Sequence, residues 1–413
     1  MKTYTIRLLP DKEQVKQLEE LSFTRNLLWN NLIDIEQTEY NTNKKIVHNY
    51  ELDKYITILR QNKPFNTLNS KACQRISKEI YSSYKSFFEL IKKDKSAKPP
   101  NKILDENINK FHTIIYNQSG WVILPNNLMS INKIKLNYKS HLDLSNLNIN
   151  EIRVKYINNK WLCDICIEEC IQYKNIIEQE NKVLAIDLGV KHLANCIDNK
   201  GNVIVIYNKS KKISKYYLKQ IGKVQTKLST KVKGSKEYKR LRKTVNILYN
   251  KKNKQIKDTL HTQSKQLLSM NYHTIVIGDL SVKKLMSTEG INENKKGLRK
   301  SFATSNINMF LDYLTYKSFA YTTNIVKINE AYTTQTNSLT GKQFSPKIEL
   351  KDRIVKLSDN ILLDRDLNAS INILDRYFNN HLALMAEPLD KTNVFHRFNL
   401  MKEPSLIGKP IGL

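Results

Sequence analysis

Apolar and polar positions alternate over the first ten residues, with Tyr4, Ile6 and Leu8 set against Thr3, Thr5 and Arg7. That period predicts a strand, and Pro10 ends it. Asp11 and Gln14 have the spacing of a capping box, and Val15, Leu18, Leu21, Leu28 and Leu32 follow at helical intervals. The pattern predicts one long helix or two over 11–38, with polar helix again over 50–92. Residues 93–102, K-D-K-S-A-K-P-P-N-K, form a basic break. From 110 to 171 the period shortens to that of strands: 111–116, 121–124, 134–136, 151–156 and 161–168, punctuated by Asn and Gly. A small barrel or sheet is expected there, which the N-terminal strand completes.

A third region opens at 183 with V-L-A-I-D-L-G-V-K-H. So short and continuous an apolar run predicts a strand buried on both faces, with Asp187 at its end. Strands over 193–197 and 203–207 follow at close spacing. Residues 209–257 read as two helices in a hairpin, with Glu237 as the single acid of the stretch. Further strands are expected at 274–277, running into Gly278-Asp279, and at 324–328, followed by Glu330. Residues 286–300 read as loop. Ala303, Ile307, Phe310 and Leu314 mark a helix, and 331–360 show little periodicity. Asp364-Arg365-Asp366 opens a last helix with Leu367, Ile371, Leu374 and Phe378 on one face. Residues beyond 380 have no clear pattern.

Charge narrows the partner class. The 413 residues carry 68 Lys and Arg against 39 Asp and Glu, a net +29. An excess of that size points to a polyanion, nucleic acid first. No window has the roughly 18 apolar residues of a membrane span. The opening M-K-T-Y-T-I-R-L-L-P lacks a signal-peptide core, so a cytoplasmic protein without membrane contact is expected. In 209–257 the one-sided charge favours polyanion contact by Lys231, Lys233, Lys239, Arg240, Arg242 and Lys243 over a neutral solvated face. Arg7, Arg25 and Trp29 are candidate contacts near the barrel and first helix. Trp29 lies close to the apolar stripe, so packing in the core is equally open for it.

Three strands, a helical pair, a fourth strand, a helix, a fifth strand and a closing helix make a ribonuclease-H-like order. In such a sheet Asp187 ends the central strand, Glu330 follows the fifth, and Asp366 opens the closing helix, whose N-terminal dipole favours a carboxylate. Each acid alone reads as a turn residue or cap. Together at one rim they repel and call for hard cations, Mg2+ or Mn2+, able to support attack of water on a phosphodiester. Cys163, Cys166 and Cys170 invite a metal reading. However, W-L-C-D-I-C reads as a strand, where residues three apart face opposite ways, and core roles are expected.

The chain resembles the TnpB (OrfB) proteins of insertion sequences, relatives of the type V CRISPR effectors, over most of its length. Y-T-I-R-L-L-P-D-K-E-Q and R-N-L-L-W-N resemble the family's opening strand and helices. A-I-D-L-G-V-K-H-L-A, I-V-I-G-D-L-S-V-K-K-L and D-R-D-L-N-A-S-I-N-I-L are similar to its three RuvC motifs. The resemblance implies an α+β multidomain fold. It comprises a wedge β-barrel (1–10 and 110–175) with an inserted helical recognition domain (11–109), a RuvC-like nuclease domain (181–380) and a tail (381–413). It implies guide-RNA-directed cleavage of double-stranded DNA, with Asp187 and Asp366 as catalytic aspartates.

Two departures matter. The second motif usually carries its glutamate where this chain has Gly278, and some members look like this one, with the glutamate moved to the position of Glu330. Glu330 is therefore the expected third ligand. Asp279 is the fallback, although on an extended strand it faces away from position 278. The family's zinc ribbon often places a cysteine pair where this chain has Asn337 and Thr340. Residues 331–366 contain neither Cys nor His, so the loop 331–363 is expected to hold no zinc. Gly278 also motivates a rival reading, an RNA-guided repressor with a dead nuclease. A second rival is an accessory transposition factor that binds element DNA without a guide.

Overall fold

A computed structural model describes residues 2–168, 182–279, 296–349 and 351–380. The chain divides into two compact units, Met1–Cys170 and Ile171–Leu413.

In the first unit, strand β1 (Lys2–Leu8) buries Ile6 and Leu8. Pro10 stops it, and Asp11 caps helix α1 (Lys12–Asn43) through a reciprocal pair: Gln14 N donates to Asp11 Oδ1 at 2.8 Å and Asp11 N to Gln14 Oε1 at 2.9 Å. The expected 11–38 is one helix, closed by Lys44 in the left-handed region (φ 54°). Leu18, Leu21, Leu28, Leu32 and Ile33 face a core shared with helices α2 (Asn49–Leu59) and α3 (Ser70–Ile91), followed by the single turn α4 (Asp105–Ile108). Strands β2 (Ile114–Asn117), β3 (Trp121–Leu124), β4 (Leu128–Ile131), β5 (Ile134–Lys139), β6 (Ile149–Ile157) and β7 (Lys160–Ile167) complete the unit. They form a seven-stranded sheet in the order β2-β6-β7-β1-β5-β4-β3, a near-closed barrel. The N-terminal strand lies inside it, pairing Thr3 with Cys166 and Leu8 with Tyr138.

Strand β4 is absent from the sequence expectation, and β2 starts three residues later than expected. The reason for β4 is turn chemistry. Asn132 and Lys133 (φ 49° and 71°) and Asn158 and Asn159 (φ 54° and 61°) make two-residue turns with both φ positive, the geometry that matches hairpin twist. Asn126 and Asn127 (φ 59° and 55°) bend the β3–β4 link in the same way. The four residues of β4 between these turns are too short to show a period.

In the second unit, β8 (Val183–Leu188), β9 (His192–Asp198), β10 (Val203–Tyr207), β11 (Thr274–Gly278) and β12 (Asn324–Ile328) form one sheet in the order β10-β9-β8-β11-β12. β8 and β12 both run parallel to β11, and β9 antiparallel to β8. Every residue of β8 is buried, as its apolar run predicts. Its side chains alternate between two cores. Leu184, Ile186 and Leu188 meet helices α6 (Lys236–Leu268) and α8 (Ile307–Ser318). Val183 and Ala185 meet α9 (Arg365–Asn380) through Leu367, Ile371 and Leu374. Asp187 continues the second series and so lies on the α9 face.

Helix α5 (Lys209–Ser229) pairs with α6 around Tyr217, Ile221 and Val245, and α6 runs on well past 257. Two expectations need correction. Of the expected loop 286–300, residues from 296 belong to α7 (Lys296–Ser305), broken from α8 at Asn306 (φ 58°), while 286–295 lie outside the described residues. The aperiodic 331–360 holds a strand, β13 (Ile354–Ser358), whose hairpin partner β14 (Ile361–Asp364) starts just past it. No helix among the described residues is long and apolar enough to cross a membrane.

Candidate active site

Asp187 lies next to last in β8 and is buried. Burial pushes its carboxyl well above the usual range, and the charges of Asp366 and Glu330 push it further, against the pull of Arg365. Asp366 enters from α9. Asp364 caps that helix, its Oδ1 accepting from Asp366 N at 2.9 Å and Leu367 N at 3.3 Å. Asp366 is buried and stands between two guanidiniums, Arg353 at 3.4 Å and Arg365 at 3.3 Å.

Glu330 follows β12 by two residues. The parallel register sets Ile277 against Ile186 and Gly278 against Ile328, so Gly278 is one step on from Ile277 and level with Asp187. A Cβ at position 278 would stand 2.6 Å from Glu330 Oε2, 3.0 Å from Glu330 Cβ and 3.2 Å from Ile373 Cδ1. The Glu330 side chain thus fills the space that a side chain at 278 would need. Burial, then the charge of Asp279, raises its carboxyl.

The arrangement fits a hard divalent cation on its donor chemistry. Partly desolvated carboxylates that repel one another are relieved by a cation with oxygen preference, Mg2+ or Mn2+. Among the described residues no three acidic, His or Cys side chains stand close enough to hold an ion as they are. An ion shared by Asp187, Glu330 and Asp366 requires them to close in. Their charges repel one another, and an ion held there would offset that repulsion.

Sequence reasoning missed Asn195. It pairs with Asp187 across β8 and β9, is 3% exposed, and its amide nitrogen makes no hydrogen bond among the described residues. Its signal was a lone Asn inside the apolar run Leu193–Ile197. Asn337 and Thr340 close a turn by hydrogen bonds: Asn337 Oδ1 accepts from Leu339 N and Thr340 N, and Asn337 Nδ2 donates to Leu357 O at 2.9 Å. Cys163 and Cys166 are buried, and burial drives the Cys163 thiol far up. Cys170 lies outside the described residues.

The nucleic-acid candidates divide. Arg25 is largely buried, paired with Glu79 at 3.0 Å and 5.0 Å over the Trp29 ring. Trp29 packs against the first core and donates Nε1 to Asn101 O at 3.2 Å. Arg7 is exposed on β1. Lys231, Lys233, Lys239, Arg242 and Lys243 are exposed around the α5–α6 turn, as is Arg240, which pairs with Glu237 at 2.7 Å.

Three family models match this chain. A helix-turn-helix model of the OrfB group covers residues 1–45, here β1 and α1. A probable-transposase model covers 167–289, and a Cas12f1-like TNB model covers 308–373. The TnpB-like proteins L79 and L770 of Acanthamoeba polyphaga mimivirus are each 31% identical over 162 residues, 38% of this chain. Together these partial matches support a member of the TnpB family. Its match spans 29% of the length of those two TnpB-like relatives. Two solved structures share the fold. One is a Cas12f1-sgRNA-target DNA complex, at 13% identity and TM-score 0.54 over 88% of this chain and 83% of that one. The other is the mini-RNA-guided endonuclease CRISPR-Cas_phi3, at 11% identity and TM-score 0.50 over 94% and 93%. The fold is α+β and multidomain, with a near-closed barrel and a mixed sheet of ribonuclease-H-like order, consistent with TnpB-type architecture.

Proposed function

We propose that this chain is an RNA-guided DNA endonuclease of a transposable element. A guide RNA selects double-stranded target DNA, and the 181–380 region acts as a RuvC-like nuclease domain. Asp187, Glu330 and Asp366 hold Mg2+ or Mn2+. Residues 1–10 with 110–175 serve as the wedge barrel and 11–109 as the recognition domain. The observation that carries this reading is the Glu330 carboxylate lying over Gly278, level with Asp187 in the sheet. It supports Glu330 as the acid that the second motif lacks. The guide RNA and target DNA of the Cas12f1 complex that shares the fold support the partner class.

When bound, the ions lower the pKa of an attacking water and offset charge on the leaving oxygen. The protein's part is placement. Asp187 is fixed by a fully buried central strand. Asp366 is placed at a helix N-terminus and paired with Arg353 and Arg365. Glu330 reaches across the strand end that Gly278 leaves clear.

The test is cleavage of target DNA by the purified chain with co-expressed guide RNA and Mg2+. Asp187→Ala should cut at least about 10²-fold more slowly and retain its RNA, a loss of roughly 3 kcal/mol or more in transition-state stabilisation. Undiminished cutting by that variant overturns the assignment. A second reading, the RNA-guided repressor, is favoured by Gly278 and by the separation of the bare carboxylates. Wild-type protein that binds target without nicking it establishes that reading instead. If no RNA of defined sequence co-purifies, the guide-independent transposition factor gains.

A further inference from the structure

Helix α9 does more than deliver Asp366. Three of its side chains, Asn368, Asn372 and Arg376, recur every four residues and form one stripe. All three bind backbone of the segment that carries Glu330. Arg376 Nη1 donates to Asn329 O at 2.8 Å. Asn372 Nδ2 donates to Thr333 O at 2.8 Å and Thr336 O at 2.7 Å. Asn368 Nδ2 donates to Thr336 O at 2.8 Å, and its Oδ1 accepts from Ser338 N at 3.0 Å. The segment then folds back on the acid itself, since Thr333 N and Oγ1 both donate to Glu330 O, at 3.1 and 2.9 Å.

Asn368 and Asn372 are buried, so their amides are committed to these contacts rather than to water. Among the described residues the segment 329–338 pairs as a strand only through an isolated bridge at Thr336, and its other outside ties include the side chains of Gln335 to Ile348 and Asn337 to Leu357. On the same helix, Ser370 Oγ donates to Asn195 O at 2.9 Å, the residue paired with Asp187. One helix therefore contributes Asp366, ties the strand beside Asp187 and grips both sides of Glu330.

We infer that the Asn368–Asn372–Arg376 stripe is a positioning device that holds Glu330 in register with Asp366, and so sets the affinity of the three-carboxylate site for its divalent cation. The inference rests on the reading of Glu330 as a ligand. A ligand displaced from the productive arc weakens metal binding without changing the donor set, typically about 10–100-fold for a lost outer partner.

The test titrates Mn2+ alone into the purified full-length chain and follows free Mn2+ by electron paramagnetic resonance. Arg376→Met keeps the packed stem and removes the donor to Asn329. Asn372→Leu keeps the volume and removes the donor to Thr333 and Thr336. Each should bind Mn2+ at least about fivefold more weakly, on the outer-partner scale. Arg376→Lys, which keeps a donor, should recover most of the loss. In a Glu330→Gln background neither change should weaken binding further, because the positioned group is already gone. Equal losses in both backgrounds, or wild-type affinity in Arg376→Met and Asn372→Leu, overturn the device while leaving Glu330 a ligand. Wild-type affinity in Glu330→Gln alone overturns the ligand reading beneath it. Arg376 lies at the surface end of the stripe, so its variant keeps the test open if Asn372→Leu fails to fold.

Discussion

Gly278 is the residue at which chemistry and space meet. The placement of Asp187 at a strand end and of Asp366 at a helix start was legible in the sequence, because each element has a clear pattern. The relation of Glu330 to Gly278 was legible only from the order of the strands and a resemblance. It depends on a parallel register two strands wide and on a side-chain path, and neither leaves a periodic trace. Asn195 showed in the sequence only as a lone polar residue in an apolar run, and its place beside Asp187 was illegible because a cross-strand partner is not a sequence neighbour. The close approach makes a prediction. Gly278→Ala places a methyl 2.6 Å from Glu330 Oε2, so the carboxylate must swing away. Cleavage should fall about tenfold or more, on the scale of a displaced metal-site group, with melting nearly unchanged. Gly278→Glu combined with Glu330→Ala should restore part of it, as read by cleavage rate against Mg2+ concentration. A second residue, Glu36, is fully buried with both carboxylate oxygens 3.1 Å from Val47 N. Burial raises its pKa to about 7, helped by Glu39 and Glu51 and opposed by the Val47 bond. The folded pKa exceeds the unfolded one, so the fold holds the proton more tightly. Stability linked to this group is highest at pH below about 4.3 and falls as pH rises through about 7. Glu36→Gln should therefore leave melting unchanged near pH 4 and raise it by about 5 °C at pH 8, given about 2–4 °C per kcal/mol for a unit of this size.

Among elements, long amphipathic helices, the buried strands β8 and β11 and the edge strand β12 were read from the sequence nearly as they stand. The misses share a cause. β4, β13 and β14 are four or five residues long and held by hairpin turns, so their identity comes from pairing rather than from a period. The break between α7 and α8 falls at Asn306, whose left-handed backbone interrupts an apolar spacing that otherwise continues. The basic hairpin of α5 and α6 was legible because its charge is one-sided and its apolar stripe regular. It supports a prediction at this scale. Lys239→Glu, Arg242→Glu and Lys243→Glu together alter exposed positions of one helix face. Surface changes of this kind usually cost within about 0.5 kcal/mol each. Nucleic-acid affinity should nonetheless fall, and the slope of log affinity against log salt should become shallower by about one for each phosphate no longer neutralised. Filter binding of guide RNA across a salt series measures both. An unchanged slope would remove this face from the interface.

At the scale of the whole molecule, the chain buries separate cores. One core gathers α1, α2, α3 and the barrel strands, all within Met1–Cys170. Two others flank the mixed sheet of the second unit. Leu28 has no exposed surface in the first, and Phe310 none in the second. Removing either side chain to Ala takes away its transfer free energy and leaves a cavity, about 2–5 kcal/mol for Leu and 3–5 for Phe. Because apolar packing acts only on what it touches, each loss belongs to the unit that holds the residue. In a denaturant series on the intact chain, Leu28→Ala should lower the midpoint for amides of β1 and β7 followed by hydrogen exchange, and leave those of β8 and β11 in place. Phe310→Ala should do the reverse. The functional consequence follows from where the acids lie. Asp187, Glu330 and Asp366 all belong to the second unit, so Mn2+ binding should survive Leu28→Ala at concentrations of denaturant that abolish it in Phe310→Ala. Loss of Mn2+ binding at one shared midpoint in both variants would show that the two units unfold as one, and that the metal site depends on the barrel as much as on its own sheet.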